Sequence, residues 1–170
     1  MAKKIVFIIA QNNFRDEELL EPKKILENRN FIIKIASKTR AKAFGKIGTE
    51  INPDLSLAEI KKEDFDAVIF IGGAGARQFF NDQQALEIVK VFRKADKIIG
   101  GICIAPMILA NAGVLIGKRV TAFPAEEENL KSRGAEYTGM QVETDGRIVT
   151  AKDPSAAKEF GEKLAYLLEE

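Results

Sequence analysis

Residues 100–106 read Gly100-Gly101-Ile102-Cys103-Ile104-Ala105-Pro106, and the cysteine at the centre is the only one in the chain. Apolar runs flank this heptapeptide on both sides, a pattern typical of a buried strand that turns sharply into a helix. In such a nucleophile elbow the central residue has a strained backbone, and the residues two positions away, here Gly101 and Ala105, must be small. The sequence therefore predicts Cys103 as a nucleophile, and we expect the following helix to favour its thiolate. A buried cysteine that packs as a small hydrophobic residue is the alternative.

Strand-like and helical patterns alternate along the rest of the chain. Strands are predicted at residues 4–10, 31–36, 67–71, 97–102 and 119–122, and helices at 16–28, 83–95, 107–112, 126–133 and 155–168. Residues 42–57 favour a small hairpin excursion, and residues 141–144 and 147–151 flank Asp145-Gly146, a favoured two-residue hairpin turn. This alternation predicts an α/β fold, with a mostly parallel sheet, one added hairpin, and helices on both faces.

Composition narrows the classes of function. The 170 residues favour one domain over 1–170, and 26 Lys and Arg against 25 Asp and Glu leave no basic surface for nucleic acid. No apolar segment approaches membrane-spanning length, so we expect a cytoplasmic protein with no membrane partner. Histidine is absent, which removes the usual base of cysteine hydrolases and the commonest zinc ligand. We therefore expect no metal.

Glu18 is the candidate partner of the cysteine. Helical spacing places Glu17 on a polar face of the first predicted helix and Glu18 on a face with Pro22, Ile25 and Leu26. A carboxylate among apolar neighbours has a raised pKa unless it is paired, which suits proton transfer. Ordinary charge pairing at a helix N-terminus is the alternative. Beside the cysteine, a protonated Glu18 would hydrogen-bond the thiolate and then act as acid or base.

The turn Gly72-Gly73-Ala74-Gly75 follows the predicted strand at 67–71. It lacks the third glycine of a dinucleotide-binding fingerprint, and it does not fit a phosphate-binding loop. Its glycines instead allow backbone amides to approach a reacting oxygen, so the amides of Gly73 and Ile104 are candidate oxyanion donors. An ordinary turn at the end of a strand is the alternative.

Several short motifs, in order along nearly the whole chain, resemble the PfpI/ThiJ superfamily, which includes intracellular proteases and protein deglycases. They are Phe14-x-Asp16-x-Glu18-Leu19-x-x-Pro22, Gly72-Gly73, Ile102-Cys103-x-x-Pro106, Ala112-Gly113-Val114-Leu115, Gly117-Lys118, Thr121-x-Phe123-Pro124 and Asp145-Gly146-x-Ile148-Val149-Thr150. The resemblance implies a flavodoxin-like three-layer sandwich, akin to class I glutamine amidotransferases, and a homodimer or an assembly of dimers. Composition alone would fit a monomer equally well.

The resemblance also assigns roles to positions. The superfamily's reactive cysteine matches Cys103, its partner glutamate matches Glu18, and its glycine donor matches Gly73. The pocket for a small substrate is expected at Gly72, Ala74, Phe123 and Pro124. Protease members carry a histidine directly after the cysteine, where this chain has Ile104, and Phe123 lies where other members offer histidine or tyrosine. A Cys-His dyad is therefore impossible, and peptidase activity is not expected.

Three functions remain open from the sequence. The first is a cofactor-independent enzyme that acts on small reactive carbonyls such as methylglyoxal, with glycated-protein repair and isocyanide hydration as variants. The second is an oxidative-stress sensor or protective protein whose cysteine is oxidised; with no second cysteine, reversal needs an external thiol or a partner subunit. The third is a member of the superfamily that has lost activity.

Overall fold

A seven-stranded sheet forms the centre of the protein, as seen in the computed structural model, which describes residues 1–170. Its strands, in spatial order, are β11 (Val142–Asp145), β12 (Ile148–Ala151), β8 (Ile98–Ile102), β7 (Ala67–Phe70), β1 (Lys4–Ile8), β3 (Ile32–Ser37) and β6 (Leu55–Ser56). Every neighbouring pair is parallel except β11 with β12, which form the antiparallel hairpin. The α/β prediction is confirmed.

The strands at the centre of the sheet are continuous apolar runs. Every residue of β7, β8 and β12 is buried, as is expected of parallel strands covered on both faces. Phe7 of β1 pairs with Ile69 of β7, which in turn pairs with Gly100 of β8, so these strands share one register. One apolar cluster of 49 buried residues extends from Ile5 to Leu168. The sheet and its helices are therefore built around a common core.

Two pairs of helices cover the sheet. On one face α1 (Asp16–Asn28) packs against α5 (Ala157–Glu169), and on the other α2 (Gln83–Lys94) packs against α3 (Pro106–Asn111). The connection through α1 moves from β1 to β3 in one direction across the sheet, and the connection through α2 moves from β7 to β8 in the opposite direction. Because such crossovers are right-handed, α1 and α2 lie on opposite faces. A short α4 (Glu127–Ser132) contacts α3. None of these helices is long and apolar enough to span a membrane.

Two small sheets lie beside the main one. The predicted hairpin excursion is present as β4 (Ala43–Gly45) with β5 (Glu50–Ile51), but β4 also pairs with β2 (Asn12–Phe14), which the sequence did not indicate. The strand predicted at 119–122 is shorter, because β9 (Arg119–Val120) pairs only with β10 (Glu136–Tyr137) outside the main sheet.

The turn of the β11–β12 hairpin differs from the prediction by one residue. Asp145 pairs with Ile148, so the two-residue turn is Gly146-Arg147 and not Asp145-Gly146. Gly146 has a φ of 61°, which suits glycine at the first position of such a turn. The Asp145 carboxylate accepts the backbone N–H of Arg119 at 2.9 Å, and this contact ties the end of β11 to β9.

The topology determines where a site forms. The strand order β3-β1-β7-β8-β12 is the flavodoxin-like order, and the chain's direction across the sheet reverses between β1 and β7. In sheets of this kind a crevice opens outside the carboxyl ends of the strands at that point. The segments that follow β1, β7 and β8 meet there, and they carry Glu18, Gly73 and Cys103 respectively.

Candidate active site

Cys103 follows β8 directly and has the strained backbone predicted for an elbow, with a φ of 64°. Its N–H donates to the carbonyl of Ala151 at 3.0 Å, and its own carbonyl accepts the N–H of Phe123 at 2.9 Å. A side chain at Gly101 would lie 3.1–3.4 Å from the backbone of Ala105 and Pro106, so the turn leaves little room there. The predicted strained turn from strand to helix is present, and hydrogen bonds to two neighbouring segments hold it in place.

Glu18 points inward from the first turn of α1 and is fully buried, as its helical spacing predicted. Its Oε1 accepts the backbone N–H of Gly72 at 2.9 Å, whereas Oε2 is buried without any N–H or O–H partner. The Cys103 thiol is the carboxyl group's other neighbour. Burial raises the pKa of Glu18 to about 8, even though the Gly72 N–H and the thiol both act to lower it. Glu18 therefore keeps its proton through most of the neutral range.

Gly72 lies between the carboxyl and the thiol. A Cβ at this position would lie 2.5 Å from Oε1 of Glu18, 2.6 Å from the carbonyl oxygen of Ile102 and 2.8 Å from Cβ of Cys103. No side chain larger than hydrogen fits without displacing one of the two groups. Glycine at this position is thus what allows the Glu18 carboxyl and the Cys103 thiol to approach each other.

Two backbone amides are directed at the sulfur. The N–H groups of Gly73 and Ile104 have no backbone acceptor, and both lower the pKa of the Cys103 thiol. Gly73 has a φ of 98°, and a Cβ there would lie 2.5 Å from the backbone nitrogen of Arg15. These are the two amides that the sequence proposed as oxyanion donors, and they lie beside the sulfur of Cys103.

The thiolate predicted from the helix N-terminus is wrong for the resting site. Burial, followed by the charge of Glu18, raises the pKa of Cys103 to about 12, and the two amides do not offset this. The helix that follows, α3, has only six residues. The sulfur thus carries its proton at neutral pH.

A cleft of about 460 Å³ opens over the cysteine. The expected site residues Glu18, Gly73, Ala74, Cys103, Ile104 and Phe123 line it. Two predicted pocket residues do not: Gly72 is buried behind the acid and the thiol, and Pro124 begins a short 3₁₀ turn that directs Ala125 and Glu126 into the cleft instead. No three acidic or cysteine side chains cluster closely enough to hold a metal ion.

Four charged residues that line the cleft were not predicted from the sequence: Arg15, Lys46, Arg77 and Glu126. Arg77 follows the glycine turn and Arg15 precedes the acidic residues of α1, so their positions beside predicted motifs were the available signal. Glu126 is one of three consecutive glutamates, and nothing in the sequence shows which of them is buried. Lys46 reaches the cleft because of the β4–β5 hairpin, which the sequence did not place next to α1.

Asp16 anchors that hairpin to α1. It is 1% exposed, and its carboxylate accepts the backbone N–H groups of Ile47 at 3.0 Å and Thr49 at 2.9 Å. Gly45 packs directly against this carboxylate. The same contacts that fix the first turn of α1, and so Glu18, hold Lys46 at the rim of the cleft.

Comparison with known proteins agrees with this architecture. The DJ-1/PfpI family matches residues 3–167. A Methanocaldococcus jannaschii protein is 35% identical over 169 residues, covering 98% of this chain and 82% of the relative. A protein of Pyrococcus abyssi named a deglycase is 32% identical over 149 residues, covering 88% and 90%.

Solved structures give the same result. The crystal structure of a ThiJ/PfpI domain protein from Brachyspira murdochii has a TM-score of 0.96 and 33% identity, covering 99% of this chain and 97% of that one. Drosophila melanogaster DJ-1beta has a TM-score of 0.90 and 26% identity, covering 99% and 91%.

Proposed function

The chain belongs to the DJ-1/PfpI family, and from that premise we propose that it is a cofactor-independent enzyme acting on small reactive carbonyl compounds. The observation that carries the proposal is the pair of half-buried Cys103 and fully buried Glu18, brought together across Gly72 at the base of an open cleft. Relatives named deglycases support an activity of this kind. The simplest reaction is the conversion of methylglyoxal to lactate.

The reaction begins with ionised Glu18. Its carboxylate accepts the thiol proton as the sulfur of Cys103 adds to the aldehyde carbon, which gives a hemithioacetal. The amides of Gly73 and Ile104 stabilise the negative charge that develops on the former carbonyl oxygen, and this oxygen then takes the proton from Glu18. A pKa of about 8 leaves Glu18 able both to accept and to return a proton near neutral pH.

Proton transfer between the two carbonyl carbons follows. Glu18 removes the proton from the former aldehyde carbon and returns it to the neighbouring carbon, while the hydroxyl proton of the hemithioacetal passes to the former ketone oxygen. The first carbon is thereby oxidised and the second reduced within one molecule. The product is a thioester of Cys103 with a 2-hydroxy acid. Water then attacks the thioester, the carbon–sulfur bond breaks, the sulfur regains a proton, and the hydroxy acid leaves. One water is consumed, and no external oxidant or reductant is needed.

Peptide hydrolysis is a weaker candidate for this site. The position after the nucleophile is Ile104 and the nearby aromatic is Phe123, so the cleft offers no imidazole to protonate a leaving amine. A small carbonyl needs no such group, because its reaction has no amine leaving group.

The test is lactate formation from methylglyoxal, followed by proton NMR. Cys103→Ser and Glu18→Gln should each lower the rate by about 100-fold or more. Glu17→Gln is the matched control, because Glu17 is half-buried, pairs with Arg15 at 2.8 Å and does not line the cleft. Lactate formation that survives the loss of the thiol would overturn the proposal.

A redox role is the second candidate, and one observation favours it. Oε2 of Glu18 is buried without a partner near the sulfur, so a protonated Glu18 is placed to donate to an oxygen of a cysteine sulfinate. Treatment with hydrogen peroxide followed by intact mass should then show a gain of two oxygens that Glu18→Gln retards. If peroxide treatment of the wild type gives no defined product with two added oxygens, this role is contradicted.

We also propose a homodimer, on the strength of the family. Among the phenylalanines considered from the sequence, Phe14 and Phe79 are buried in the core and Phe80 is half-buried, whereas Phe44 remains 45% exposed. Light scattering at several protein concentrations should give twice the chain mass of 18.8 kDa, and the mass of a single chain at every concentration would contradict the dimer. The predicted cytoplasmic location and the single domain over 1–170 remain predictions.

A further inference from the structure

The cleft over Cys103 carries more positive than negative charge, and it receives that charge from three separate elements. Arg15 precedes α1, Lys46 lies in the β4–β5 turn, and Arg77 lies in the 3₁₀ helix that follows β7. Apart from Glu18, the only acidic side chain that lines the cleft is Glu126. The whole chain has 26 basic and 25 acidic residues, so its overall charge balance does not account for this local excess.

The cations differ in how far they are already neutralised. Arg15 is paired with Glu17 through two nitrogens, so little of its charge is free. Arg77 approaches Glu126 only to 4.0 Å, and Glu126 is otherwise held by Asn129 at 3.0 Å. Lys46 is exposed and makes no salt bridge. Lys46, with part of the charge of Arg77, is therefore available to a ligand.

The size of the cleft points in the same direction. A water molecule takes about 30 Å³ of liquid volume, so about 460 Å³ holds a molecule much larger than three-carbon methylglyoxal. A longer carbonyl compound with its reacting end at Cys103 would extend toward the rim where these cations lie.

From these observations we infer that the natural substrate is a carbonyl compound bearing an anionic group, a carboxylate or a phosphate, and that Lys46 and Arg77 select it. The inference rests on the proposed function. The balanced model reaction is 4,5-dioxopentanoate plus water giving 2-hydroxyglutarate: the aldehyde carbon is oxidised to a carboxylate, the neighbouring ketone is reduced to an alcohol, and one proton is released. Its neutral counterpart of equal length is 2-oxopentanal.

The first experiment uses no turnover and so separates this inference from the proposed reaction. Alkylation of the single cysteine by anionic iodoacetate and by neutral iodoacetamide is followed by intact mass, and the ratio of the two rates is divided by the ratio for the uncharged thiol N-acetylcysteine amide. We expect the normalised ratio to exceed one at low salt and to fall toward one at high salt. Lys46→Gln should lower it about threefold, and Lys46→Gln with Arg77→Gln about tenfold.

Lys24→Gln is the matched control, because Lys24 is exposed on α1 and does not line the cleft. A normalised ratio of one or less in the wild type, or an equal fall in the control, would overturn the inference. Acetate and inorganic phosphate, added separately, distinguish the anions: the preferred one slows alkylation by iodoacetate at the lower concentration. Failure of both reagents to reach native Cys103 would overturn the proposed function and this inference together.

The second experiment compares kcat/KM for 4,5-dioxopentanoate and 2-oxopentanal. We expect the carboxylate to be preferred by about tenfold, with most of that preference lost in the double variant. Equal turnover of the two substrates would overturn the inference while leaving the proposed reaction intact. Turnover of neither substrate, with iodoacetate still favoured, would overturn the reaction and leave anion selection standing.

Discussion

Replacing Glu18 with glutamine should change how the protein's stability depends on pH. The Glu18 carboxyl has a pKa of about 8 in the folded chain, against 4.5 for an unperturbed glutamate. The folded state therefore holds this proton more tightly than the unfolded state does. The stabilisation from Glu18 is fully present below pH 4.5, and it is lost as the pH rises through 8.

The size of the effect follows from the shift. A difference of about 3.5 pKa units at 1.36 kcal/mol each gives about 5 kcal/mol in total, of which about 4 kcal/mol falls between pH 5 and pH 8.5. Cys103 does not contribute in this window, because its pKa is raised to about 12 and its own loss begins only at higher pH. The wild type should thus lose about 4 kcal/mol relative to Glu18→Gln over this range.

Guanidinium denaturation at half-unit steps of pH measures this difference directly. Glu17→Gln is the control: the pKa of Glu17 is lowered, chiefly by its hydrogen bond to Arg15, so its difference from the wild type should not change above pH 5. If the difference between the wild type and Glu18→Gln is the same at every pH, Glu18 is ionised throughout and the reasoning fails.

Three further predictions concern the same region. Gly72→Ala should lower the free energy of unfolding by about 1–3 kcal/mol, because its Cβ would lie 2.5 Å from the Glu18 carboxyl; unchanged denaturation would contradict the packing described. Asp16→Ala should cost about 1.5–3 kcal/mol in the same assay by leaving the N–H groups of Ile47 and Thr49 without their acceptor, and a neutral effect would mean that the hairpin is held otherwise. The kcat/KM for methylglyoxal should rise with pH to a plateau above about 8, since Glu18 must be ionised to accept the thiol proton; a rate that falls over that range would refute this role.

Much of the fold was available from local patterns, because β7, β8 and the helices that flank them are long, continuous apolar or amphipathic segments. The positions of Cys103 and Glu18 followed for the same reason: a glycine-flanked turn and the spacing of one helix are local features. The short strand β2 was not predicted, because its Asn12-Asn13 pair is typical of a turn. These residues form a strand only by pairing with β4, which is distant in sequence.

The charged residues around the site could not be predicted from local sequence patterns. Lys46 enters the cleft only because Asp16 holds a hairpin some thirty residues away in sequence, and this contact has no local signal. The thiol's pKa was predicted with the wrong sign because burial and the charge of Glu18 both depend on the assembled sheet. Local sequence indicates which groups are candidates for the site, whereas tertiary packing decides their protonation.

The most direct test of the central claim, that Glu18 acts as the base for Cys103, is the rate of iodoacetamide alkylation against pH, followed by intact mass. We expect the wild-type rate to show an inflection near pH 8, where Glu18 ionises, and Glu18→Gln to lack that inflection. Identical profiles for the two proteins, or alkylation only in denaturant, would contradict the account.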